Sequence, residues 1–222
     1  MATSTPERPV VAATGTPRRG RTRERLLDAA YEVFAENGVH AASIEQVCER
    51  AGFTRGAFYS NFTSKEELFF ALMEREHSLR LTSLEEQVDA LLPTLDLTGE
   101  LDEHVIGDLV LEFLVGPFDN RTWTLVSSEF LLLAMRDPAV AADYLAYQDR
   151  FEASLAPIVQ RAIDRAGREL VLDARAAVRM LCAVQVDAEQ SAVLGGTATD
   201  ERDVPRLALA RALLVVTRPK PA

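Results

Sequence analysis

The sequence predicts an all-α protein of about nine helices, an N-terminal three-helix helix-turn-helix domain followed by a larger helical body. Three observations lead there. Apolar residues recur at i, i+3, i+4 and i+7 along most of the chain. No alternation of apolar and polar residues lasts long enough for a strand. Capping residues and breakers, among them Ser43, Thr54, Ser64, Asp173, Gly38, Gly52 and Pro93, fall between the periodic stretches.

The first helix is expected from about Thr22 to Glu36, with Leu26, Leu27, Ala30, Val33 and Phe34 on one face. Ser43 and Gln46 have the spacing of a capping box, in which each satisfies the other's orphan backbone N–H. Ile44, Val47, Cys48 and Ala51 then form one apolar face, and Gly52 stands where a helix needs a left-handed C′ residue. Thr54 is a suitable N-cap for a short third helix, and Phe53 and Phe58 have the spacing of a hydrophobic staple around it. Phe62 continues the buried side. Ser64 and Glu67 have the spacing of a second capping box. The helix it opens is long and extends through Leu81 toward Leu92, before Pro93.

Five further helices are expected. They run over Leu101 to Val115, Asn120 to Arg136, Pro138 to about Ala166, Asp173 to Leu194, and Val204 to Val216. Pro157 lies inside the third of these and is expected to kink or divide it. The chain thus divides into residues 1–20, a basic arm without periodicity that reads as disordered, then 21–68 and 69–222.

Charge is unevenly placed. The net charge is −10, yet residues 1–80 carry 11 basic and 11 acidic side chains, while residues 81–222 carry 13 and 23. Between Arg8 and Arg25 there are six arginines and one acid, Glu24. A neutral head with a basic arm can approach phosphates while an acidic body is held away. For Arg18, Arg19, Arg21 and Arg23 two readings stay open: an arm that reaches the duplex, or a solvated tail.

The exposed side of the third helix suits a nucleic acid. Arg55 can pair bidentately with a guanine or a phosphate. Gly56 permits close approach. Tyr59 can give its hydroxyl to a phosphate, and Lys65, beside N–H groups at a helix N-terminus, is expected at a phosphate oxygen. Ser60 lies on the same side. The alternative is that these are ordinary surface residues of a small bundle.

At these residues the chain resembles the TetR-family (tetracycline-repressor-like) transcriptional regulators. The resemblance rests on Ala29 to Gly38, Ser43–Ile44, Ala51–Gly52–Phe53, the run Arg55–Gly56–Ala57–Phe58–Tyr59, Phe62, and Ser64–Lys65–Glu66–Glu67–Leu68, and covers Arg21 to Leu72. It implies DNA contacts from Ser43, Thr54, Arg55, Gly56, Ala57, Tyr59, Ser60, Asn61 and Lys65. It also implies a homodimer whose C-terminal domain binds a small ligand and loosens DNA binding. The expected function is a sequence-specific regulator, a repressor released by a small apolar ligand. The alternative is a helical small-molecule-binding or interaction protein whose helix-turn-helix serves packing alone.

For the dimer, stripes on the last two helices are the candidates: Ala176, Ala177, Met180, Leu181, Val184, Ala188 and Ala192, then Leu207, Ala210, Leu213 and Leu214. Small residues let helices approach to about 8 Å, and a dimer would set two reading helices about 34 Å apart on a pseudo-palindromic operator. The stripes can equally pack within one subunit. For the ligand, Phe113, Trp123, Phe130, Tyr144 and Tyr147 stand out among the aromatic residues of the middle helices, with Phe118, Met135 and Phe151. A filled core is the other reading.

Other chemistries find little support. Cys48 and Cys182 are 134 positions apart, and His40, His77 and His104 are scattered, so neither a disulfide framework nor a metal site is expected. No nucleophile elbow or phosphate-binding glycine loop occurs, so neither catalysis nor a cofactor is expected. The apolar run at Val10 to Ala13 is too short for a signal peptide, and no run reaches the ~18 residues of a membrane span. A cytoplasmic protein is expected.

Overall fold

In the computed structural model the residues described are 17–91, 120–195 and 203–220. They form eight helices and one two-stranded ribbon: α1 (Pro17–Asn37), α2 (Ile44–Ala51), α3 (Arg55–Tyr59), α4 (Lys65–Leu91), α5 (Asn120–Arg136), α6 (Pro138–Arg165), β1 (Arg168–Leu170), α7 (Ala174–Gly195), α8 (Asp203–Val216) and β2 (Thr217–Pro219). The expected helix over Leu101 to Val115 lies outside the described residues, as do Phe113 and Phe118.

Three local expectations need correcting. The first helix begins at Pro17, so 17–20 are helical and not part of an irregular arm. Proline suits the first turn, where its missing N–H is an orphan anyway, and the arginines that follow are good helix formers. Of the kink or division expected at Pro157, the division does not occur, since α6 runs unbroken through 28 residues. Ala153 and Pro157 both lie on the exposed side, where water reaches the carbonyl that the proline leaves without a donor. The chain also contains strands. Arg168 pairs with Pro219, Glu169 with Arg218 and Leu170 with Thr217 in an antiparallel ribbon. Three-residue strands are too short to show a period in the sequence.

The described residues group into two compact units, one of 17–79 with 125–142, the other of 80–91, 120–124, 143–195 and 203–220. The boundary expected after Leu68 falls inside α4. The first unit has an aromatic core. Phe34 and Phe69 meet edge to face at 5.3 Å, and Phe130 packs on Phe69 at 4.9 Å and on Phe70 at 4.8 Å. Leu26, Leu27, Val47, Phe58, Leu68, Leu72 and Val126 are fully buried around them. Each such side chain contributes about 1.5–3 kcal/mol by leaving water.

Salt links tie α2 and α4 to α1. Arg50 on α2 reaches Glu32 at 2.9 Å and Glu36 at 2.7 Å on α1. Arg75 on α4 reaches Glu24 at 3.2 Å, Asp28 at 2.8 Å and its neighbour Glu76 at 3.0 Å. Burial opposes the charge on Arg75, but Asp28, Glu76 and Glu24 more than offset it and push its pKa up.

In the second unit Leu181 of α7 packs with Leu209, Ala210 and Val216 of α8, and Val159, Leu170, Leu213 and Leu214 close around them. Val88 and Ile158 form a second cluster with Leu81, Leu84 and Ala162. Asp173 caps α7 by accepting the Ala176 N–H at 3.0 Å.

Candidate nucleic-acid interface

Local chemistry places the reading helix. The Ser43 box is complete: Ser43 N–H donates to Gln46 Oε1 at 2.8 Å, and Gln46 N–H donates to Ser43 Oγ at 3.2 Å. Gly52 ends α2 with φ of 70°, a left-handed conformation that costs most side chains energy. Thr54 Oγ1 accepts the Ala57 N–H at 3.3 Å and starts α3. Behind the turn, the Arg25 guanidinium lies 4.7 Å over the Phe53 ring and donates to the Ala51 carbonyl at 2.8 Å.

Two faces of α3 differ sharply. Phe58 is 0% exposed and Phe62, just beyond the helix, 1%. Thr54, Arg55, Gly56, Tyr59 and Ser60 are exposed, and Ala57 and Asn61 half-buried. Arg55 is not loose, however. Its guanidinium meets the Glu45 carboxylate of α2 at 2.7 Å and the Tyr59 hydroxyl at 3.4 Å. The Tyr59 hydrogen bond and then the Glu45 charge push the Arg55 pKa up. Gly56 has room for a methyl group, since a Cβ there would find Thr54 Oγ1 at 3.7 Å, an ordinary contact. Ser60 Oγ donates to the Gly56 carbonyl at 2.8 Å, and Asn61 Nδ2 to the Ala57 carbonyl at 2.8 Å.

Lys65 is differently employed than expected. Its ammonium donates to the carbonyls of Val39 at 2.8 Å, His40 at 3.1 Å and Ala42 at 2.9 Å. An ammonium has three donors, and a phosphate would have to displace one of these carbonyls. The second capping box is also shifted. Glu67 N–H donates to Ser64 Oγ at 3.1 Å, but the Glu67 carboxylate accepts from Thr63 N–H at 2.6 Å and from its hydroxyl, not from Ser64. Those Thr63 bonds pull the Glu67 pKa down.

Two sets of contacts around α3 were not foreseen, that of Glu45 with Arg55 and those of two α1 arginines with its far end. Glu45 meets Arg55 only because the turn folds α2 against α3. Arg19 donates to the Ser60 carbonyl at 3.0 Å, and Arg23 lies 5.0 Å over the Phe62 ring, so α1 lays arginines along the far end of α3. The arginine-rich composition hinted at the second pair, and no local pattern marks the first.

The expected ligand residues separate. Phe130 belongs to the core of the first unit, 0% exposed between Phe69 and Phe70. Trp123, Tyr144 and Tyr147 lie in the second unit. There the Arg80 guanidinium sits 4.7 Å over the Trp123 ring. Tyr144 and Tyr147 are 6.3 Å apart, and burial pushes the Tyr144 hydroxyl pKa up against a 2.9 Å bond from Gln148. Glu189 accepts from Gln185 at 2.7 Å and from Thr124 at 3.4 Å, and burial pushes its carboxyl up.

The dimer stripes separate in a similar way. Ala177, Leu181, Ala188 and Ala210 are buried within the subunit, and Leu213 and Leu214 pack on that cluster. Of the stripe residues Met180 stays exposed, and outside the stripes Val186 and Leu194 of α7 and Val215 of α8 are exposed as well.

Comparison with known proteins agrees with this geometry. Residues 26–72 match the family described as bacterial regulatory proteins, tetR family. The transcriptional regulator UidR of Escherichia coli K12 is 30% identical over 125 residues, 54% of this chain and 56% of UidR. SrpR of Pseudomonas putida is 46% identical over 61 residues, 27% of this chain and 29% of SrpR. The match thus spans about half of UidR and under a third of SrpR. A solved structure from Mesorhizobium loti, assigned to the TetR-family regulators, shares the fold with a TM-score of 0.67. It is 21% identical and covers 90% of this chain and 98% of its own. The likeness to the tetR family of bacterial regulatory proteins thus lies in the N-terminal helices, residues 26–72.

Proposed function

We propose that the protein is a sequence-specific DNA-binding transcriptional regulator, a repressor that acts as a homodimer. One observation carries the reading: α3 buries Phe58 while leaving Arg55, Gly56, Tyr59 and Ser60 exposed in a single row. A narrow, glycine-relieved helix with one arginine on its open side fits a major groove. Arg55 reads a base, and Tyr59, Thr54 and Ser43 meet the backbone. Ala57 and Asn61 line the edge of the contact. Lys65 holds the α1–α2 loop in place and supports the interface from behind.

A second copy supplies the second reading helix. Met180 and Leu194, 46% and 86% exposed, lie on one side of α7, and Val215 of α8 is 72% exposed. Burying these against a twin would remove apolar surface from water on both subunits.

A small ligand bound in the second unit near Trp123, Tyr144 and Tyr147 would modulate DNA binding, if it favoured one arrangement of the dimer. On the Trp123 side the polar groups Arg80, Thr124, Gln185 and Glu189 favour a ligand with charged or hydrogen-bonding groups over a wholly apolar one. No described helix is long and apolar enough to cross a membrane.

A gel shift with duplex selected from random sequence tests the reading. A discrete complex that survives competition by scrambled duplex is expected. Equal competition by scrambled and selected duplex would refute it.

A further inference from the structure

The contact between Glu45 and Arg55 is odd for a surface meant to meet phosphates. Both side chains are exposed, 57% and 60%, so a duplex approaching Arg55 would meet a carboxylate beside it. Each negative charge on such a face weakens attraction to any duplex. A bare arginine would bind all phosphates alike.

Resting on the DNA-binding reading above, we propose that Glu45 is a positioning residue that sets sequence selectivity. It holds the Arg55 guanidinium toward a base edge and cancels that arginine's attraction to the backbone. The geometry supports it. One terminal nitrogen of Arg55 is 2.7 Å from Glu45, and the other is 3.4 Å from the Tyr59 hydroxyl. The Tyr59 ring lies 5.8 Å from the guanidinium carbon. The plane of the group is therefore fixed from two elements, α2 and α3. A guanidinium has five N–H donors, so donors remain for the O6 and N7 acceptors of a guanine. The pair as a whole is near neutral, so it releases few counterions and adds little to non-specific binding. Its contribution is geometric and depends on the base it meets.

The charge balance separates this role from a merely structural one. Glu45 also lies in the first turn of α2, where a carboxylate steadies a helix. Loss of that effect lowers stability and leaves the choice between sequences alone.

The test uses the full chain, its selected duplex and a scrambled duplex, titrated by fluorescence anisotropy at several salt concentrations. Glu45→Gln keeps the size and removes the charge. It is expected to tighten binding to the scrambled duplex and to steepen the salt dependence by about one unit. The ratio of selected to scrambled affinity should fall by about tenfold, the discrimination of a good base contact. In an Arg55→Ala background the same substitution should leave that ratio unchanged, because no guanidinium remains to position. An unchanged ratio in Glu45→Gln, or an equal fall with and without Arg55, overturns the proposal. Failure of the native chain to prefer any duplex would instead overturn the DNA-binding reading itself.

Discussion

The ammonium of Lys65 lies 2.8 Å from the carbonyl oxygen of Val39, and it also holds the carbonyls of His40 and Ala42. One side chain at the start of α4 thus fastens the loop that leads into α2. Lys65→Ala leaves three carbonyls short of a donor and is expected to cost about 1–3 kcal/mol of stability. The salt slope of DNA binding should stay as it is. A slope reduced by about one, with unchanged melting, would show that Lys65 meets a phosphate instead.

Gly56 has room for a methyl group within the domain, so its bare backbone gives the fold nothing. Alanine is the better helix former by about 0.5–1 kcal/mol. Gly56→Ala should therefore raise the melting temperature while weakening binding to the selected duplex. Thermal melts and anisotropy on the same sample check both halves. Tighter or unchanged binding would mean that the duplex does not approach α3 closely.

Arg75 sits among Glu24, Asp28 and Glu76, and Glu76 is 0% exposed. Arg75→Ala strands buried carboxylate charge and should cost about 3 kcal/mol or more. Arg75→Ala with Glu76→Gln should recover part of that loss. Urea unfolding of both variants measures it, and equal midpoints for the native chain and Arg75→Ala would contradict the assignment.

Burial pushes the Cys182 thiol up to about 11, with the Glu152 charge adding to it, and burial raises Cys48 as well. At pH 8 a thiol of that pKa is thiolate in about one part in a thousand. Both cysteines should react with a disulfide reagent far more slowly than in the denatured chain. The linkage has a sign. From pH 9.0 to about 11 the unfolded Cys182 thiol ionises before the folded one, so stability falls as pH rises through that window. Rapid native labelling of Cys182 would contradict its placement.

The head was legible because its signals are local. The Ser43–Gln46 box, the Gly52 terminator and the Thr54 cap each act across a few residues, and the structure contains all three. What escaped depends on distant partners. Lys65 finds its carbonyls 23 to 26 positions away, and nothing around it in sequence says so. Phe130 looked like one aromatic among several in the middle helices, yet Phe69 and Phe70 claim it for the first unit. The ribbon escaped because three residues cannot show a period, and Leu170 and Thr217 are far apart along the chain. Cap chemistry can be read from one stretch of sequence, but the partner of a charged or aromatic side chain is fixed only by the fold.

The central claim is that the exposed row of α3 reads a duplex. Its most direct measurement is the affinity of the full chain, native and Arg55→Ala, for a selected and a scrambled duplex at low and moderate salt. The native chain should prefer the selected duplex and bind it with two protomers per site. Arg55→Ala should lose most of that preference, by a factor of about 10–100. A native chain that binds both duplexes equally, or an Arg55→Ala chain that discriminates as well as the native one, would contradict it.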